Sequence, residues 1–326
     1  MPLMSEKKFT QKSRFATSVA LLIFISSANV MACSSCGCTL NSDWSSQGIS
    51  TGEGTRIDIR FDYFKQSDYR NGTGSVNRSD IPVGTEVQDN TINRNLTIGL
   101  DHSFNQDWAI NLQLPIFSRS HGTYGEEGDY PDPAALLTSS SKGIGDLRVT
   151  GRYQGLSVDH SSGITFGLKL PTGETNDTFT DGSALDRGLQ LGTGTTDLLL
   201  GAYHLGSINR DWDYFAQATV QIALNTHDDF RPGNGLNATA GVRYMGFESF
   251  IPQLQFNARM EKRESGANAD VDNSGATLLY FSPGVTVPIN KAVQAFGFLQ
   301  VPVYQHVNGY QIEPNVLIST GLRFSF

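Results

Sequence analysis

The last eight residues of the chain, Ser319 to Phe326, read S-T-G-L-R-F-S-F. Counting back from Phe326, every second side chain is apolar or carries a methyl group: Phe324, Leu322, Thr320, Ile318 and Val316. The side chains between them are mostly small or polar. Successive side chains of a β-strand point to opposite faces. The stretch therefore predicts a β-strand with one apolar face and one mostly polar face.

A glycine followed by two aromatics, the second at the carboxyl terminus, resembles the C-terminal signal of bacterial outer-membrane β-barrels. The resemblance rests on Gly321, Phe324 and Phe326 and implies that the barrel-assembly machinery recognises this strand. The alternative is a soluble sandwich that ends on an edge strand, although a free hydrophobic edge invites aggregation. We therefore expect an all-β protein, a transmembrane antiparallel barrel in the outer membrane of a Gram-negative bacterium.

The average composition fits a barrel better than a helical membrane protein. Of the 326 residues, 38% are hydrophobic and 17% are charged, and the mean hydropathy is −0.26. After residue 32, no window holds the ~18 consecutive apolar residues that a membrane-spanning helix needs. In a barrel, lipid-facing and lumen-facing residues alternate, so their hydropathies cancel in the average.

Residues 1–32 have the pattern of a signal peptide. Basic residues precede an apolar run from Ala16 to Ala28, and Val30-Met31-Ala32 is a small-residue cleavage site. The whole chain has 24 Lys and Arg and 32 Asp and Glu; this segment holds four of the former and one of the latter, so 20 and 31 remain. A net charge near −11 argues against nucleic acid as a partner.

Residues 33–54 are predicted to be a short periplasmic segment that ends in a linker rich in Ser, Gly and Thr. The segment begins C-S-S-C-G-C and holds all three cysteines, Cys33, Cys36 and Cys38. Three hypotheses stay open. Residues 30–33 resemble a lipobox, which would attach lipid to Cys33; the three thiolates could bind a soft metal, copper or zinc; or two of them form a disulfide. Gly37 stands where haem attachment would need histidine.

Residues 55–326 are predicted to form the barrel, because alternation with a period of two recurs in about 12 stretches. The first stretch runs from Arg56 to Tyr63, and the last three cover about 276–288, 291–304 and 315–326. Long connections at 66–90, 119–142 and 172–192 alternate with short ones at 104–107, 155–162 and 206–211, and 305–313 is expected to be a loop. Bacterial barrels have an even strand number and short periplasmic turns. Both termini are therefore expected in the periplasm.

The charged side chains on the predicted inner face are the candidate functional residues. One hypothesis is a salt-bridge network that braces the barrel, since buried charges persist when they are paired. The other is a polar conduit with an Arg-rich constriction that selects solutes. The interior of a barrel of ~8 strands is filled by side chains, and that of a porin of ~16 strands is an open channel. A barrel of twelve strands has an intermediate width, so we expect a narrow pore. The pore candidates are Arg56, Asp58, Arg60, Asp62, Asp101, Arg148, Arg152, Lys169, Arg243, Arg259, Glu261 and Arg323.

The sequence does not predict an enzyme. A barrel lipase would need serine and histidine on the same lipid-facing side, two residues apart, whereas Ser103 directly follows His102. A barrel protease would need an Asp-His pair separated by one residue, and the stretch Thr226 to Asp229 lacks that spacing. We therefore assign no catalytic residue.

Three stretches carry a resemblance to a known family. They are K-G-I-G-D-L-R-V-T-G-R-Y-Q at 142–154, G-L-K-L-P-T-G-E-T-N-D at 167–177 and L-G-T-G-T-T-D-L-L-L-G-A-Y at 191–203. Together they resemble the outer-membrane barrels labelled "meta-pathway of phenol degradation", whose members are described as transporters. The cysteine segment is outside that pattern.

The sequence thus predicts a narrow outer-membrane channel or transporter for small organic solutes, aromatic or hydrophobic in character. Its expected partners are membrane lipid, the assembly machinery and the solute. The alternative is a barrel that anchors a periplasmic metal-binding or electron-transfer function through Cys33, Cys36 and Cys38, with a periplasmic partner.

Overall fold

The computed structural model describes residues 53–125 and 130–326, which fold as antiparallel β-strands with a few turns of 3-10 helix. Within these ranges no helix is long and apolar enough to cross a membrane. The strands are β1 (Gly54–Gly72), β2 (Gly74–Ser75), β3 (Gln88–Ser103), β4 (Trp108–Thr123), β5 (Leu137–Ile144), β6 (Leu147–Tyr153), β7 (Ser162–Leu170), β8 (Asp197–Ser207), β9 (Trp212–Ala223), β10 (Gly235–Tyr244), β11 (Ile251–Glu261), β12 (Ala276–Pro288) and β13 (Val293–Ser325).

The C-terminal strand closes the sheet into a barrel. Neighbours in the sheet follow chain order from β1 to β13, and β13 pairs back with β1, with Ser325 opposite Arg56 and Ser319 opposite Asp62. The Phe326 amide donates to the Thr55 carbonyl over 2.9 Å. Eleven strands form this closed circuit, and the two short strands β2 and β5 lie outside it. The predicted all-β antiparallel barrel is confirmed.

The 33-residue strand β13 is a hairpin, and each of its two arms forms one strand of the barrel wall. Its first arm pairs with β12 from Gln294 to Val307, and its second arm pairs with β1 from Tyr310 to Ser325. The backbone reverses at Gly309, which has a positive φ of 54°, and the far ends meet again where the Ser325 amide donates to the Ala292 carbonyl over 2.8 Å. A closed ring in which every pairing is antiparallel needs an even number of crossings. Ten single strands and the two arms supply the twelve crossings that the sequence predicts.

The two faces of the wall differ as the alternation in the sequence predicts. On β1, Ile59 is 38% exposed while the preceding Asp58 is 2% exposed. Exposed apolar side chains recur on β3, β7, β8, β11, β12 and both arms of β13. The interior is therefore polar and tightly packed, and the exterior is a belt of apolar surface.

Several strands are longer than the sequence predicts. β1 continues to Gly72 and β4 to Thr123, β5 begins within the predicted loop 119–142, and residues 305–313 continue the two arms of β13. The predicted loop at 305–313 is therefore wrong. A strand is identified in the sequence by alternating apolar and polar residues, which face the lipid and the lumen. Where a strand extends beyond the apolar belt this alternation is lost, although the backbone hydrogen bonds between strands continue.

The barrel has two distinguishable ends. The start of β1 and the C-terminal Phe326 lie at one end, which we call the terminal end, and the connections there are short. The opposite end, which we call the loop end, carries the connections after β1, β4, β7, β9 and β11. Near the loop end β4 changes partner, pairing with β6 at residues 108–113 and with β5 at residues 116–123.

Candidate functional site

Ion pairs fill the lumen towards the terminal end. Asp101 on β3 lies 3.2 Å from Arg56 and 3.7 Å from Arg152, which also donates to the Ser103 hydroxyl. Arg323 pairs with Asp58 over 2.8 Å. The resulting contacts join β1, β3, β6 and β13. Since these groups are almost fully buried, pairing offsets much of the cost of removing their charges from water.

A further pair extends this network along β1. The Arg60 Nε donates to Asp62 over 2.8 Å, and the same carboxylate accepts a hydrogen bond from the Ser319 hydroxyl on β13 over 2.6 Å. The seam where the barrel closes is therefore held by side chains as well as by its backbone ladder.

A second network surrounds Lys169 on β7. Its Nζ lies 2.9 Å from Asp146 and 3.1 Å from Asp197, and it also donates to the Thr193 hydroxyl. Asp146 accepts three more hydrogen bonds, from the backbone amides of Gly173 and Thr193 and from the Thr193 hydroxyl. The three sequence stretches that carry the family resemblance supply these groups, which meet at one point. Their spacing in the sequence is explained by this cluster.

Residues 172–196 form a loop between β7 and β8, which we call the strap. Its two ends meet at a narrow neck, where a Cβ added to Gly192 would lie 2.5 Å from the Gly173 carbonyl oxygen. The Lys169 network joins both sides of that neck. The middle of the strap is thereby directed over the inner surface of the wall.

Arg119 on β4 fastens the middle of the strap. Its Nη1 donates to the carbonyls of Leu189 (2.5 Å) and Gln190 (3.4 Å), and its Nε donates to Asn93 over 2.9 Å. Asn93 in turn donates to Gln66 on β1. A buried guanidinium that donates to two consecutive carbonyls holds the strap at a fixed height in the barrel.

Apolar contacts complete the attachment of the strap. Phe179, Leu185 and Leu189 are buried together against Leu137 of β5, and the Phe179 ring lies 6.0 Å from the His121 imidazole, measured between centroids. The acidic side chains of the strap at Glu174, Asp181 and Asp186 are exposed, whereas its apolar side chains are buried. These apolar residues have no regular spacing in the sequence, so their burial follows from the tertiary fold.

The strap lies close to the connection after β11 and to the second arm of β13. Residues 186–188 of the strap line a cavity of about 30 Å³ together with Glu264, Asn268 and Gln311. The arrangement can restrict passage through the barrel, and release of the strap would widen it.

The loop end is covered by an apolar cap, which consists of Tyr69, Ile81, Val87 and Ile312 with Tyr124 and Tyr130 packed against them. Beneath it, Glu86 Oε1 lies 3.9 Å from His121 Nε2. Burial by itself would raise the pKa of Glu86, but His121 and hydrogen bonds from Thr123 and Gln88 hold that pKa below its ordinary value of 4.5.

Below the cap, part of the inner surface is apolar. Phe64 and Leu317 from β1 and β13 pack with side chains of β12 and the first arm of β13, and all of them are at least nine-tenths buried. We call this cluster the apolar wall; its members are Phe64, Ala276, Leu278, Tyr280, Val307 and Leu317. The interior therefore combines paired charges with an apolar cluster.

The predicted pore residues lie in separate pairs within the barrel. Besides the contacts described above, Arg243 pairs with Asp213 over 3.0 Å, Arg259 pairs with Glu261, and Arg148 donates to Gln221 of β9 over 3.0 Å. They do not form a single Arg-rich ring. Their role in selecting solutes stays a prediction.

Sequence reasoning missed Arg119, His121 and Glu313. All three lie in stretches that it assigns to the ends of strands or to loops. The signal that could have identified them is the alternation of buried polar residues along β4, where Arg119 and His121 continue the inner face from Asn111.

The remaining sequence predictions concern residues that the structure does not describe. Cys33, Cys36 and Cys38 lie outside the described residues, so lipid attachment, a disulfide and a copper or zinc site stay predictions. In the described part of the chain no group of three or more His, Cys, Asp or Glu side chains is arranged to hold a metal ion.

Comparisons with known proteins identify the fold. No family model matches the chain, and no curated protein matches it. Among solved structures, an outer-membrane channel from Pseudomonas putida F1 matches with a TM-score of 0.64 and 14% identity, covering 86% of this chain and 98% of that one. The toluene transporter TbuX from Ralstonia pickettii has a TM-score of 0.46 and 12% identity over 84% and 90% of the two chains. The CymD monoaromatic hydrocarbon channel has a TM-score of 0.46 and 10% identity, covering 91% of this chain and 97% of that one.

Proposed function

We propose that this protein is an outer-membrane channel that passes small organic solutes with apolar bodies, and that the strap restricts its lumen. The observation that carries the proposal is the attachment of the strap inside the barrel by Arg119 and by the Lys169 network. A closed barrel whose interior is narrowed by its own chain is suited to controlled passage.

The outer surface supports the membrane location. Leucine, isoleucine, valine and phenylalanine side chains on most strands are exposed to about two-fifths of their area, and a contiguous apolar belt of this kind is stable in lipid and aggregates in water. The likeness to the Pseudomonas putida channel supports the same location. The terminal end is then the periplasmic end, since it carries the short turns.

The inner surface supports the class of solute. Most charges in the lumen are paired with partners on the barrel wall, so little unbalanced charge remains to attract ions. The apolar wall and the apolar cap provide surface on which a solute with an apolar body gains free energy as it leaves water. Toluene and cyclohexanol are test solutes of this kind.

Flux through proteoliposomes tests the proposal. We expect the wild-type protein to admit cyclohexanol slowly, and Arg119→Ala to admit it several-fold faster because the strap loses its contacts at Leu189 and Gln190. Arg243→Ala is the matched control: it removes a lumenal arginine at the terminal end that does not touch the strap. Correct folding is checked by heat-modifiable migration on electrophoresis.

Two results would contradict the proposal. One is the absence of flux for every organic solute with folded protein and with both variants. The other is an equal rise for Arg119→Ala and Arg243→Ala, which would show that the strap does not restrict passage.

A further inference from the structure

Glu313 is a buried carboxyl group that has no hydrogen-bond partner in the part of the chain that the structure describes. It lies on the second arm of β13, opposite Asp68 of β1, and is 1% exposed. Among the described residues, neither of its carboxylate oxygens accepts a hydrogen bond. A buried polar group in this condition costs free energy, so its retention calls for a group that binds to it.

Arg70 presents a complementary unpartnered group at the same height. Its Nη1 donates to the Thr73 carbonyl over 3.0 Å, whereas its Nε is buried and has no acceptor among the described residues. Arg70 pairs with Gln311 and Asp68 pairs with Glu313, so Arg70 and Glu313 are diagonal neighbours on adjacent strands. Long side chains in such positions reach each other, yet the two groups form no hydrogen bond with each other.

The apolar cap and the apolar wall lie on either side of these two groups, and Arg259 is a further charged neighbour of Glu313. Ile312, next to Glu313, belongs to the cap, and Leu317, on the same arm, belongs to the apolar wall. Glu313 is also an electrostatic neighbour of the Tyr280 hydroxyl in that wall. A solute that passes from the cap to the apolar wall therefore meets Glu313 and Arg70 between them.

We infer that Glu313 and Arg70 form a subsite that recognises the hydroxyl group of an otherwise apolar solute. A hydroxyl donates one hydrogen bond and accepts others, so it can donate to the Glu313 carboxylate and accept from the Arg70 Nε–H. A ketone can only accept and a protonated amine can only donate, so each satisfies one of the two groups. The inference rests on the proposed function and specifies its solute class.

Three probes of similar size distinguish an alcohol, a ketone and an ammonium group: cyclohexanol, cyclohexanone and cyclohexylamine. The amine of cyclohexylamine is protonated at pH 9, like that of a lysine side chain. Isothermal titration of the full-length protein in detergent is carried out at pH 9, so that the carboxyl is ionised in spite of its burial. We expect cyclohexanol to bind about tenfold more tightly than either analogue, the difference that one satisfied buried hydrogen bond makes.

Substitution of Glu313 assigns the preference to this residue. Glu313→Leu is expected to abolish the preference for the alcohol. Glu313→Gln is expected to shift it towards the ketone, because the amide N–H₂ donates where the carboxylate accepted. Asp211→Asn is the control, since Asp211 is an exposed carboxyl in the short connection between β8 and β9 at the terminal end, and it should leave all three affinities unchanged.

The following outcomes would overturn the inference. Equal binding of the three probes would show that Glu313 and Arg70 do not recognise a hydroxyl group, and tightest binding of cyclohexylamine would show that they bind a cation instead. A preference for the alcohol that survives in both Glu313 variants would place recognition elsewhere. Selective binding without flux through proteoliposomes would support the subsite and contradict the proposed function. Flux without selective binding would support the proposed function and contradict the subsite.

Discussion

Lys169 shows how a single residue determines the architecture of the lumen. It is 3% exposed and lies between two carboxylates, Asp146 at the junction of β5 and β6 and Asp197 at the start of β8. An ammonium group in this environment is tolerated because both carboxylates neutralise it. The same contacts close the neck of the strap, so one side chain couples stability to the restriction of the pore.

Replacement of Lys169 by methionine tests this coupling. Lys169→Met keeps a chain of similar volume but leaves Asp146 and Asp197 without their cation. We expect the free energy of unfolding to fall by about 3–5 kcal/mol, measured from urea denaturation in detergent or lipid. The double variant Lys169→Met/Asp197→Asn should recover part of this loss.

Lys142→Met is the control for that experiment. Lys142 is exposed on β5, and a substitution at an exposed site of this kind changes stability by about 0.5 kcal/mol or less. Equal losses for Lys169→Met and Lys142→Met would show that the buried network does not stabilise the barrel.

At the scale of elements, the cap and the strap are the parts of the loop end that can respond to conditions. The cap joins residues of β1, the connection after it and β13, and His121 links its underside to the strap through Phe179. The charged or titratable groups near Glu86 are His121, Tyr69, Arg78 and Asp270. Burial raises the pKa of Asp270 above its ordinary value.

The lowered pKa of Glu86 gives the cap a defined pH dependence. A carboxyl whose pKa is lower in the folded state stabilises that state above its ordinary pKa of 4.5, and the contribution is lost as the pH falls below that value. We expect cleavage of the cap by pepsin to increase below about pH 4.5. Glu86→Gln should remove the change in that range. Cleavage that rises equally in wild type and variant would contradict this assignment.

Some elements could be predicted from the sequence and others could not, for a physical reason. Alternation identifies Asp58 as inward and Ile59 as outward because lipid and lumen differ sharply, and it also predicts the C-terminal strand that pairs with β1. The sequence of the strap shows no such alternation of polar and apolar residues. Phe179 and Leu189 are buried by contacts inside the folded barrel, which the local sequence does not reveal. Glu313 lies beyond the apolar belt, where the same contrast ends.

At the scale of the whole molecule, closure of the sheet explains why the chain can bury charges inside and expose apolar groups outside. The backbone groups of the wall strands pair with neighbours around the ring, which is required in lipid. The twelve crossings enclose a lumen that side chains alone would not fill. The strap occupies part of this space, so the free width of the lumen depends on a loop as well as on the barrel wall.

The most direct test of this account is the single-channel conductance of the barrel in planar bilayers with and without the strap. Residues 176–190 are replaced by a short Gly-Ser linker, which leaves the neck at Gly173 and Gly192 and the Lys169 network in place. The account predicts a small conductance for the wild type and a several-fold larger one for the variant. Equal conductance in the two folded proteins would contradict the claim that the strap restricts the lumen.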